Sequence, residues 1–453
     1  MRIRFLFIIL FSTLLGLSAC GSAPTTLPTI TEPAITATEP IILKETQLVE
    51  VTRIVEQTQI VQEIQVVTVE VTRIVQELII TTPSPQPFPM VESSQVISLR
   101  LPRAQHTATR LPDGSILFVG GSTSTYEQTS QVEIYDPGTG ITFLAAPLHT
   151  PRHAHTATLL PDGRVLVVGG SNHNQGWLDD AEIYDPSTNE WLVMPPPTSH
   201  GVEHTATLMN DGRVLVVGGA IGGGQQTDLV DIFDPQTNSW YAALPLASDR
   251  ASHTAMLLND GRVLVIGGGS AAGIPAGGEA LLYDPQLDTW TATGPMVMPR
   301  VNGEAAILPD GSVLVAGGIN LQDTLGPGAT LIPSSSSEIF DPVSNIWSAT
   351  AELIQPRNGF VMLPLKDGRI LAIGGVHDAE CCLTENSYIL EIEFYDPSTQ
   401  LWNIAGDLPQ PAIHSAGVLI LDGRVWVTGG KAGESGEYFL ADTWLIFYAP
   451  SQP

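Results

Sequence analysis

An all-β fold built from seven similar units is predicted for this chain on three observations. Residues 156–170 read TATLLPDGRVLVVGG, and nearly the same string returns at 205–219 and at 254–268, a spacing of 49 residues. Gly-Gly doublets recur seven times, and Asp-Gly precedes each of them by seven residues. The chain also has 43 Gly and 35 Pro among 453 residues, a composition that suits short strands joined by tight turns.

Each unit is predicted to contain four strands. Asp-Gly between two apolar runs supplies the positive φ angles of a hairpin turn between strands one and two. The run Arg-Val-Leu-Val-Val is β-branched and apolar on both faces, which is typical of a buried second strand. Aromatic-Asp-Pro ends the third strand, because proline cannot continue a ladder. A tryptophan follows on the fourth strand of five units, at Trp191, Trp240, Trp290, Trp347 and Trp402.

A period near 50 residues with these four landmarks resembles the kelch repeat, in the form found in the central domain of galactose oxidase. The resemblance covers residues 95–450 and implies a seven-bladed β-propeller. The seventh unit ends at its third strand, near Trp444 to Tyr448, and no fourth strand follows it. We therefore predict that the alternating segment 95–99 is the outer strand of the last blade and closes the ring.

The first 19 residues are predicted to be an export signal. Arg2 and Arg4 precede an apolar run over residues 5–17, and Leu17-Ser18-Ala19-Cys20 resembles the lipobox of bacterial lipoproteins. Such a signal is cut before the cysteine, so Cys20 is predicted to carry the lipid. The alternative is an ordinary signal peptide or a single N-terminal anchor. We expect an exported protein, lipid-anchored at the outer side of the bacterial cell membrane.

Three segments are predicted between the signal and the propeller. Residues 20–47 are a Thr/Pro-rich linker, residues 48–82 a stalk, and residues 83–94 a Pro-rich linker. Within 48–79 a heptad seam favours a coiled coil of three or four chains, and hence a homo-oligomer. The β-branched content favours strands or a partly ordered spacer, so both alternatives stay open. The seam consists of Ile60, Ile64, Val67, Val71, Ile74 and Leu78.

The formal charge of −28 repels a phosphate backbone, so nucleic acid is excluded as a partner. The distance from Asp-Pro to the next Asp-Gly is constant at 26 residues, whereas the loop between strands two and three varies in length. Scaffold positions cannot change length without breaking strand pairing, but loops can. The face that carries these loops is therefore the candidate binding surface. The largest loops are 319–337 and 376–390, with 431–441 beside them.

Histidines recur at one repeat position, at His106, His155, His204 and His253. Equivalent atoms in neighbouring blades lie farther apart than the ~2 Å of a metal–nitrogen bond. We therefore predict a structural ring, each histidine bonding to the backbone of the next blade, and no metal. By resemblance to other kelch propellers, the arginines that enter strand one are expected to line the central opening and grip acidic ligands. They are Arg103, Arg152, Arg250, Arg300 and Arg357.

Two further positions are candidates for chemistry. Cys381 and Cys382 are adjacent and can form a vicinal disulfide in an exported protein, or stay reduced. His377, Asp378 and Glu380 flank them, but the spacing matches no strong zinc pattern. Glu304 stands where the histidine pattern lapses. If the protein resembles the sialic-acid mutarotase type of kelch propeller, Glu304 is the carboxylate to expect in the channel.

No catalytic set and no cofactor are predicted. The tyrosines that a copper-radical oxidase would need are used by the repeat motif, and the cysteines sit together in one loop. We expect a binding protein that recognises a protein or a glycan through its loop face, rather than an enzyme. The alternative is a carbohydrate-active kelch enzyme, of the mutarotase type before the copper-radical type.

Overall fold

The computed structural model describes residues 92–447, apart from gaps at 125–126, 195–197, 199, 224, 270–278, 321–331, 379–382, 412, 421–422 and 434–437. The predicted signal, Cys20, the stalk and most of the linkers lie outside the described residues. So do Cys381 and Cys382. Within the described part, no helix is long and apolar enough to cross a membrane.

Seven four-stranded antiparallel sheets form the described region. The first strand of each sheet contacts the first strands of both neighbouring sheets, and the seventh contacts the first, so the sheets form a closed ring. This confirms the predicted seven-bladed β-propeller. We number the blades 1 to 7 by the order of their first strands along the chain.

The inner two strands of the blades are short and regular. The first strands are Thr107–Arg110, Thr156–Leu159, Thr205–Leu208, Thr254–Leu257, Glu304–Ile307, Val361–Pro364 and Ala416–Leu419. The second strands are Ile116–Val119, Val165–Val168, Val214–Val217, Val263–Ile266, Val313–Ala316, Ile370–Ile373 and Val425–Thr428. Every residue of the second strands is buried, as their β-branched, apolar sequence predicts.

The outer two strands complete each blade. The third strands are Val132–Asp136, Ala181–Asp185, Val230–Asp234, Ala280–Asp284, Ser337–Asp341, Glu391–Asp396 and Asp442–Phe447. The fourth strands are Ile141–Leu144, Glu190–Met194, Ser239–Ala242, Thr289–Ala292, Ile346–Ala349, Leu401–Asp407 and, for blade 7, Glu92–Ser98.

Short additional elements decorate the loops. Two-stranded ribbons pair Ser171–Asn172 with Gly176–Trp177, Ala220–Gly222 with Gln225–Gln226, Arg300–Val301 with Ile319–Asn320, and Lys431–Ala432 with Tyr438–Phe439. One 3₁₀ turn is described, at Glu385–Ser387.

The ring is closed by the strand that precedes blade 1. Glu92–Ser98 pairs antiparallel with Asp442–Phe447, with Glu92 opposite Phe447 and Ser98 opposite Asp442. This confirms the predicted closure. The strand begins at residue 92, three residues before the predicted start at 95, because its partner strand extends far enough to pair with those residues. No blade is left with an incomplete sheet.

The hydrophobic core lies between blades rather than inside one blade. Leu117, Val119 and Ile134 of blade 1 pack with Tyr184 and Trp191 of blade 2 in one buried cluster. The ring of Trp191 lies 5.0 Å from that of Tyr184, centroid to centroid, and its Nε1 donates a hydrogen bond to a carbonyl oxygen of blade 1. The fourth-strand tryptophan therefore covers the junction between blades, as predicted from its position in the repeat.

Main-chain hydrogen bonds also join the blades at the Gly-Gly doublets. The second glycine donates its N–H to the carbonyl oxygen of the residue that enters strand one of the next blade. For example, the N–H of Gly121 lies 2.8 Å from the carbonyl oxygen of Arg152. A Cβ on Gly120 would come within 2.5 Å of that same oxygen. The first glycine, with φ of +60°, is thus required both for its conformation and for the close approach.

The five entry arginines do not line the central opening, so that prediction is wrong. Arg103, Arg152, Arg250, Arg300 and Arg357 are each at most 1% exposed. In each, Nη1 donates to the carbonyl oxygen of the first doublet glycine of the same blade, at 2.7 to 3.2 Å. The side chain therefore runs into the blade, and no guanidinium is left for a ligand.

A buried carboxylate on strand three neutralises four of these arginines. Nη2 of Arg300 donates to Oε1 of Glu338 at 2.8 Å, and both side chains are at most 2% exposed. The same carboxylate accepts two main-chain N–H groups, from Val297 and Met298, in the connection that leads into strand one. The other pairs are Arg103–Glu133, Arg152–Glu182 and Arg357–Glu393. These hydrogen bonds offset the cost of burying the charges.

Three blades depart from this arrangement: blades 3 and 4, and blade 7, where the sequence has Ala412 at the arginine position. In blade 3 the entry position is Gly201, and the preceding His200 takes the place of the arginine. Its Nδ1 lies 2.8 Å from the carbonyl oxygen of Gly218, and its Nε2 lies 2.8 Å from Asp231. In blade 4 Arg250 is kept, but the strand-three position is the apolar Leu281. The sequence does carry a signal for these ion pairs that the sequence analysis did not use: an acidic residue stands two positions before the aromatic-Asp-Pro motif in the blades that have the pair.

These pairs predict unequal costs for the same substitution in two blades. Arg300→Met leaves Glu338 buried and without its counter-ion, which costs about 3 kcal/mol or more. Arg250→Met leaves no buried carboxylate without its counter-ion, so the free energy of unfolding falls by clearly less in this variant than in Arg300→Met. Urea unfolding of both variants measures the difference. An equal loss in the free energy of unfolding of the two variants would show that the ion pair does not contribute to stability.

Candidate functional site

A cavity of about 810 Å³ lies at the centre of the ring, on the face that carries the loops between strands two and three. All seven blades contribute to its lining through the residues just before or at the start of strand one. The loop 171–177 of blade 2 forms part of its wall. The cavity thus opens on the face that the sequence singled out by its variable loop lengths.

The mouth of the cavity is a ring of residues in left-handed conformation. The seven rim residues are Gln105, Ala154, Glu203, Ser252, Asn302, Gly359 and His414, with φ between +50° and +67°. Their main chains are joined from blade to blade: the N–H of Ala154 donates to Gln105, that of Asn302 to Ser252, and that of His414 to Gly359, at 2.9 to 3.1 Å. The backbone of the rim is therefore preformed while its side chains differ in every blade.

Below the rim, threonines and histidines of blades 1 to 4 form a chain of hydrogen bonds. The threonine that begins strand one contacts the histidine of the following blade, Oγ1 to Nε2. The pairs are Thr107–His155 at 3.1 Å, Thr156–His204 at 2.9 Å and Thr205–His253 at 2.9 Å. Three of the four histidines that were predicted to be structural, His155, His204 and His253, thus contact a side chain of the preceding blade and not the backbone of the next.

These histidines are held in the neutral form. Burial, with a smaller contribution from Arg103, lowers the pKa of His106 to about 3. Burial likewise lowers the pKa values of His204 and His253 to about 3 and that of His155 well below its usual range. The floor of the cavity therefore offers uncharged imidazoles at neutral pH.

The Thr–His pattern stops in blades 5 to 7. The histidine position is Gly303 in blade 5, Phe360 in blade 6 and Ser415 in blade 7, and all three line the cavity. Glu304 takes the threonine position of blade 5. At the other end, blade 7 has Ala416 where a threonine would contact His106. We call the region bounded by Gly303, Glu304, Phe360, Ser415 and His106 the open sector.

Glu304 is the predicted site residue that the structure does bring into the cavity. It begins strand one of blade 5 and is only partly exposed. Within the described residues its carboxylate has neither a hydrogen-bond partner nor an ion-pair partner. Burial raises the pKa of Glu304 to about 7, so the carboxyl group exchanges its proton near neutral pH.

Trp177 supplies an aromatic wall that the sequence analysis did not single out. A Cβ on Gly201 or Gly222 of blade 3 would lie 2.8 or 3.1 Å from its ring, so one edge and face of the indole are held against these glycines. The residue is still 45% exposed and lines the cavity. Asn172 fixes the turn before it by accepting the N–H groups of Asn174 and Gln175.

Other predicted features of the loop face are only partly described. The centres of the long loops in blades 5, 6 and 7 lie outside the described residues, as do Cys381 and Cys382. Of the groups beside the cysteines, His377 lies 3.4 Å from Asp378 and 2.8 Å from the carbonyl oxygen of Asn386. Among the loops between strands two and three that the structure describes, the loop 171–177 of blade 2 contributes most to the wall of the cavity.

The residues do not fit a copper-radical centre. Tyr184, Tyr283 and Tyr395 are buried, and each packs against the tryptophan of its own blade with centroids 4.9 to 5.3 Å apart. Over the described ranges, no group of three or more His, Cys, Asp or Glu side chains is placed to hold a metal ion. These tyrosines are structural, as their place in the repeat predicted.

The raised pKa of Glu304 makes a pH-dependent contribution to stability. The folded state holds the proton up to about pH 7, whereas the unfolded chain releases it near the ordinary glutamate pKa of 4.5, so stability is lost as the pH rises through this window. Glu304→Gln should therefore stabilise the protein at pH 8 by on the order of 1–3 kcal/mol, and far less at pH 4.5. Urea unfolding at the two pH values tests this. Glu203→Gln, at the exposed rim, is the control, and a gain from Glu304→Gln that is equal at both pH values would refute it.

Comparison with known proteins shows similarity to kelch-repeat proteins over part of the chain. Residues 105–318 match the KLHDC2/KLHL20/DRC7 Kelch-repeats domain. Kelch-like protein 33 of Homo sapiens is 33% identical over 112 residues, which are 24% of this chain and 18% of that protein. Kelch-like protein 35 of Mus musculus is 28% identical over 138 residues, 22% of this chain and 24% of that protein. The matches thus span less than a quarter of either relative.

Solved structures share the fold at low sequence identity. A fungal alcohol oxidase of the AA5 family, in complex with copper, superposes with a TM-score of 0.64 at 19% identity, covering 79% of this chain and 76% of that one. YjhT superposes with a TM-score of 0.53 at 18% identity, covering 69% of this chain and 99% of that one. Together with the seven closed sheets, these matches identify the fold as a seven-bladed β-propeller, and residues 105–318 resemble kelch repeats.

Proposed function

We propose that this protein is a lipid-anchored, extracytoplasmic binding protein whose propeller recognises a glycan in the central cavity of its loop face. The observation that carries the proposal is the lining of that cavity. Side chains from all seven blades converge on it, and they are mainly neutral hydrogen-bonding groups: amides, hydroxyls and uncharged imidazoles.

Such a lining suits sugar hydroxyls, each of which both donates and accepts a hydrogen bond. Gln105 and Asn302 offer both donors and acceptors around the mouth. Trp177 presents an exposed aromatic face, on which the apolar face of a pyranose can pack. A volume of about 810 Å³ is within the range of small-molecule sites and has room for a short oligosaccharide.

A glycan suits this face better than a folded protein partner. Stable protein interfaces bury about 800 Å² on each side and are centred on aromatic and apolar residues. Here the central feature is concave and polar, and the described rim offers no apolar cluster of that kind. The Kelch-like relatives match only short segments, so their partners do not carry over to this chain.

The N-terminal segments would place this cavity outside the cell. Lipid on Cys20 would hold the chain at the outer side of the membrane, and residues 20–94 would set the propeller away from it. A stalk over residues 48–79 that associates through its heptad seam would present several cavities together. Clustering of this kind raises the avidity for a repetitive glycan.

A carbohydrate-active enzyme is the second candidate, and Glu304 favours it. A carboxyl group with a pKa of about 7 in a sugar-sized cavity suits general acid–base chemistry. Interconversion of sugar anomers, followed by NMR with the sugars that bind, separates the two functions. Turnover that is lost in Glu304→Gln would establish the enzyme.

Trp177→Ala should weaken glycan binding about 10-fold or more, because it removes the stacking surface. The full chain, purified in detergent, is screened against an array of oligosaccharides, and the affinities of the hits are measured by calorimetry. Tyr241→Ala is the matched control, since Tyr241 is 47% exposed on an outer strand and does not line the cavity. An array without hits, or hits that bind Trp177→Ala unchanged, would count against the proposal.

Cys20→Ala should move the protein from the membrane fraction to the soluble fraction or stall it with its signal uncut, because the lipid can no longer be attached. Fractionation and mass spectrometry of the N-terminal peptide check this, and Cys381→Ala serves as the control for loss of a cysteine. A wild-type N-terminal peptide that begins at Met1 and carries no lipid would show an uncleaved anchor instead.

A further inference from the structure

The open sector leaves two polar groups of the cavity without partners. His106 is 5% exposed and lines the cavity, yet neither of its ring nitrogens has a hydrogen-bond partner among the described residues. The reason is local, since blade 7 carries Ala416 where blades 1 to 3 carry the threonine that contacts the next histidine. Glu304, at the other end of the Thr–His chain, is likewise unpartnered in the described structure.

An unpaired buried polar group is costly, so His106 is suited to a ligand that satisfies its ring nitrogens, and the partly exposed carboxylate of Glu304 can accept donors from the same ligand. Phe360 lies at the histidine position of blade 6, within the open sector, and lines the same cavity. The sector thus combines a carboxyl group, an imidazole and an aromatic ring on three different blades.

The charges around the cavity favour a cation. Its described lining includes two carboxylates, Glu203 and Glu304, and neither arginine nor lysine. The five entry arginines are withdrawn into the blades, and the ring histidines are neutral. Burial lowers the pKa of His153, and the positive charge of Lys431 lowers it further by a smaller amount. The ammonium group of Lys431 is therefore a cation near the mouth of the cavity. Against a chain charge of −28, a single lysine does not reverse the sign of the field.

We propose that the open sector binds an amino sugar, with its protonated amine on the Glu304 carboxylate and a sugar hydroxyl on a ring nitrogen of His106. This assignment rests on the proposed glycan-binding function and names the class of glycan. The ammonium group brings three donors to a carboxylate that has none.

Other sugars satisfy the sector less well. A neutral sugar gives Glu304 hydrogen bonds but no opposite charge. An anionic sugar, such as a sialic or uronic acid, places a third carboxylate in a cavity whose described lining already holds two and has no guanidinium to receive it. The charge-assisted hydrogen bond therefore sets the preference, and we expect it to favour the amine about 10- to 100-fold in affinity.

The test compares ligands that differ at one group. Calorimetry at pH 7.5 and physiological ionic strength measures the full chain with glucosamine, N-acetylglucosamine and glucose, as monomers and as β-1,4-linked tetramers. The free-amine forms should bind the wild type about 10-fold tighter or more. Glu304→Gln should remove this preference and still bind the acetylated and neutral forms.

Glu203→Gln is the matched control, because it removes the same charge from the exposed rim of the same cavity and should keep the preference. If both variants lose it equally, the general acidic field attracts the amine and the assignment to Glu304 is wrong. If neutral sugars bind without any preference for the amine, the inference fails while the proposed function stands. If the wild type binds no sugar in any form, both fail.

Discussion

Within the described residues, blades 1 to 6 are each tied to the preceding blade by the main-chain carbonyl of the residue that enters the first strand. That oxygen accepts the N–H of the second doublet glycine of the preceding blade, while the side chain of the same residue reaches the doublet of its own blade. One residue, Arg152 for example, thus fixes two adjacent sheets. The contact is so close that the first glycine cannot carry a Cβ, and in four blades the buried arginine is paired with a carboxylate such as Glu182.

We call this pair of contacts, one from the main chain and one from the side chain of the entry residue, the clamp. Because the clamp holds the blades together, the neighbouring positions are not needed for that purpose. The rim residues lie two positions after the residue that enters strand one, and their left-handed backbone is held by main-chain bonds from blade to blade. Because side chains take no part in those bonds, Gln105, Glu203 and Ser252 can differ without loss of the ring. A rigid backbone with free choice of side chain is the arrangement that a selective binding site requires.

The lapse of the repeat in blades 5 to 7 separates scaffold from site. Arg300 and Arg357 keep the clamp in blades 5 and 6, so those blades are as well tied as the others. What changes is the layer facing the cavity, where Gly303, Glu304 and Phe360 replace histidine and threonine. Glu304 departs from the repeat in a blade that keeps the clamp, so it is not needed to hold the blades together. His106 keeps the repeat histidine but has no hydrogen-bond partner among the described residues. These two positions are therefore the ones in the cavity that point to a ligand.

The sequence alone determined the seven blades, the four strands of each, the loop face and the closing strand, since these follow from local periods, turn residues and a count of strands. It also placed Glu304 by the lapse of a pattern. Only the tertiary structure decided which way side chains point: the arginines turn inward to buried acids some 30 residues along the chain, and Trp177 turns toward the cavity across two glycines of the next blade. Those directions depend on contacts between residues distant in sequence, and a repeat pattern carries no information about them.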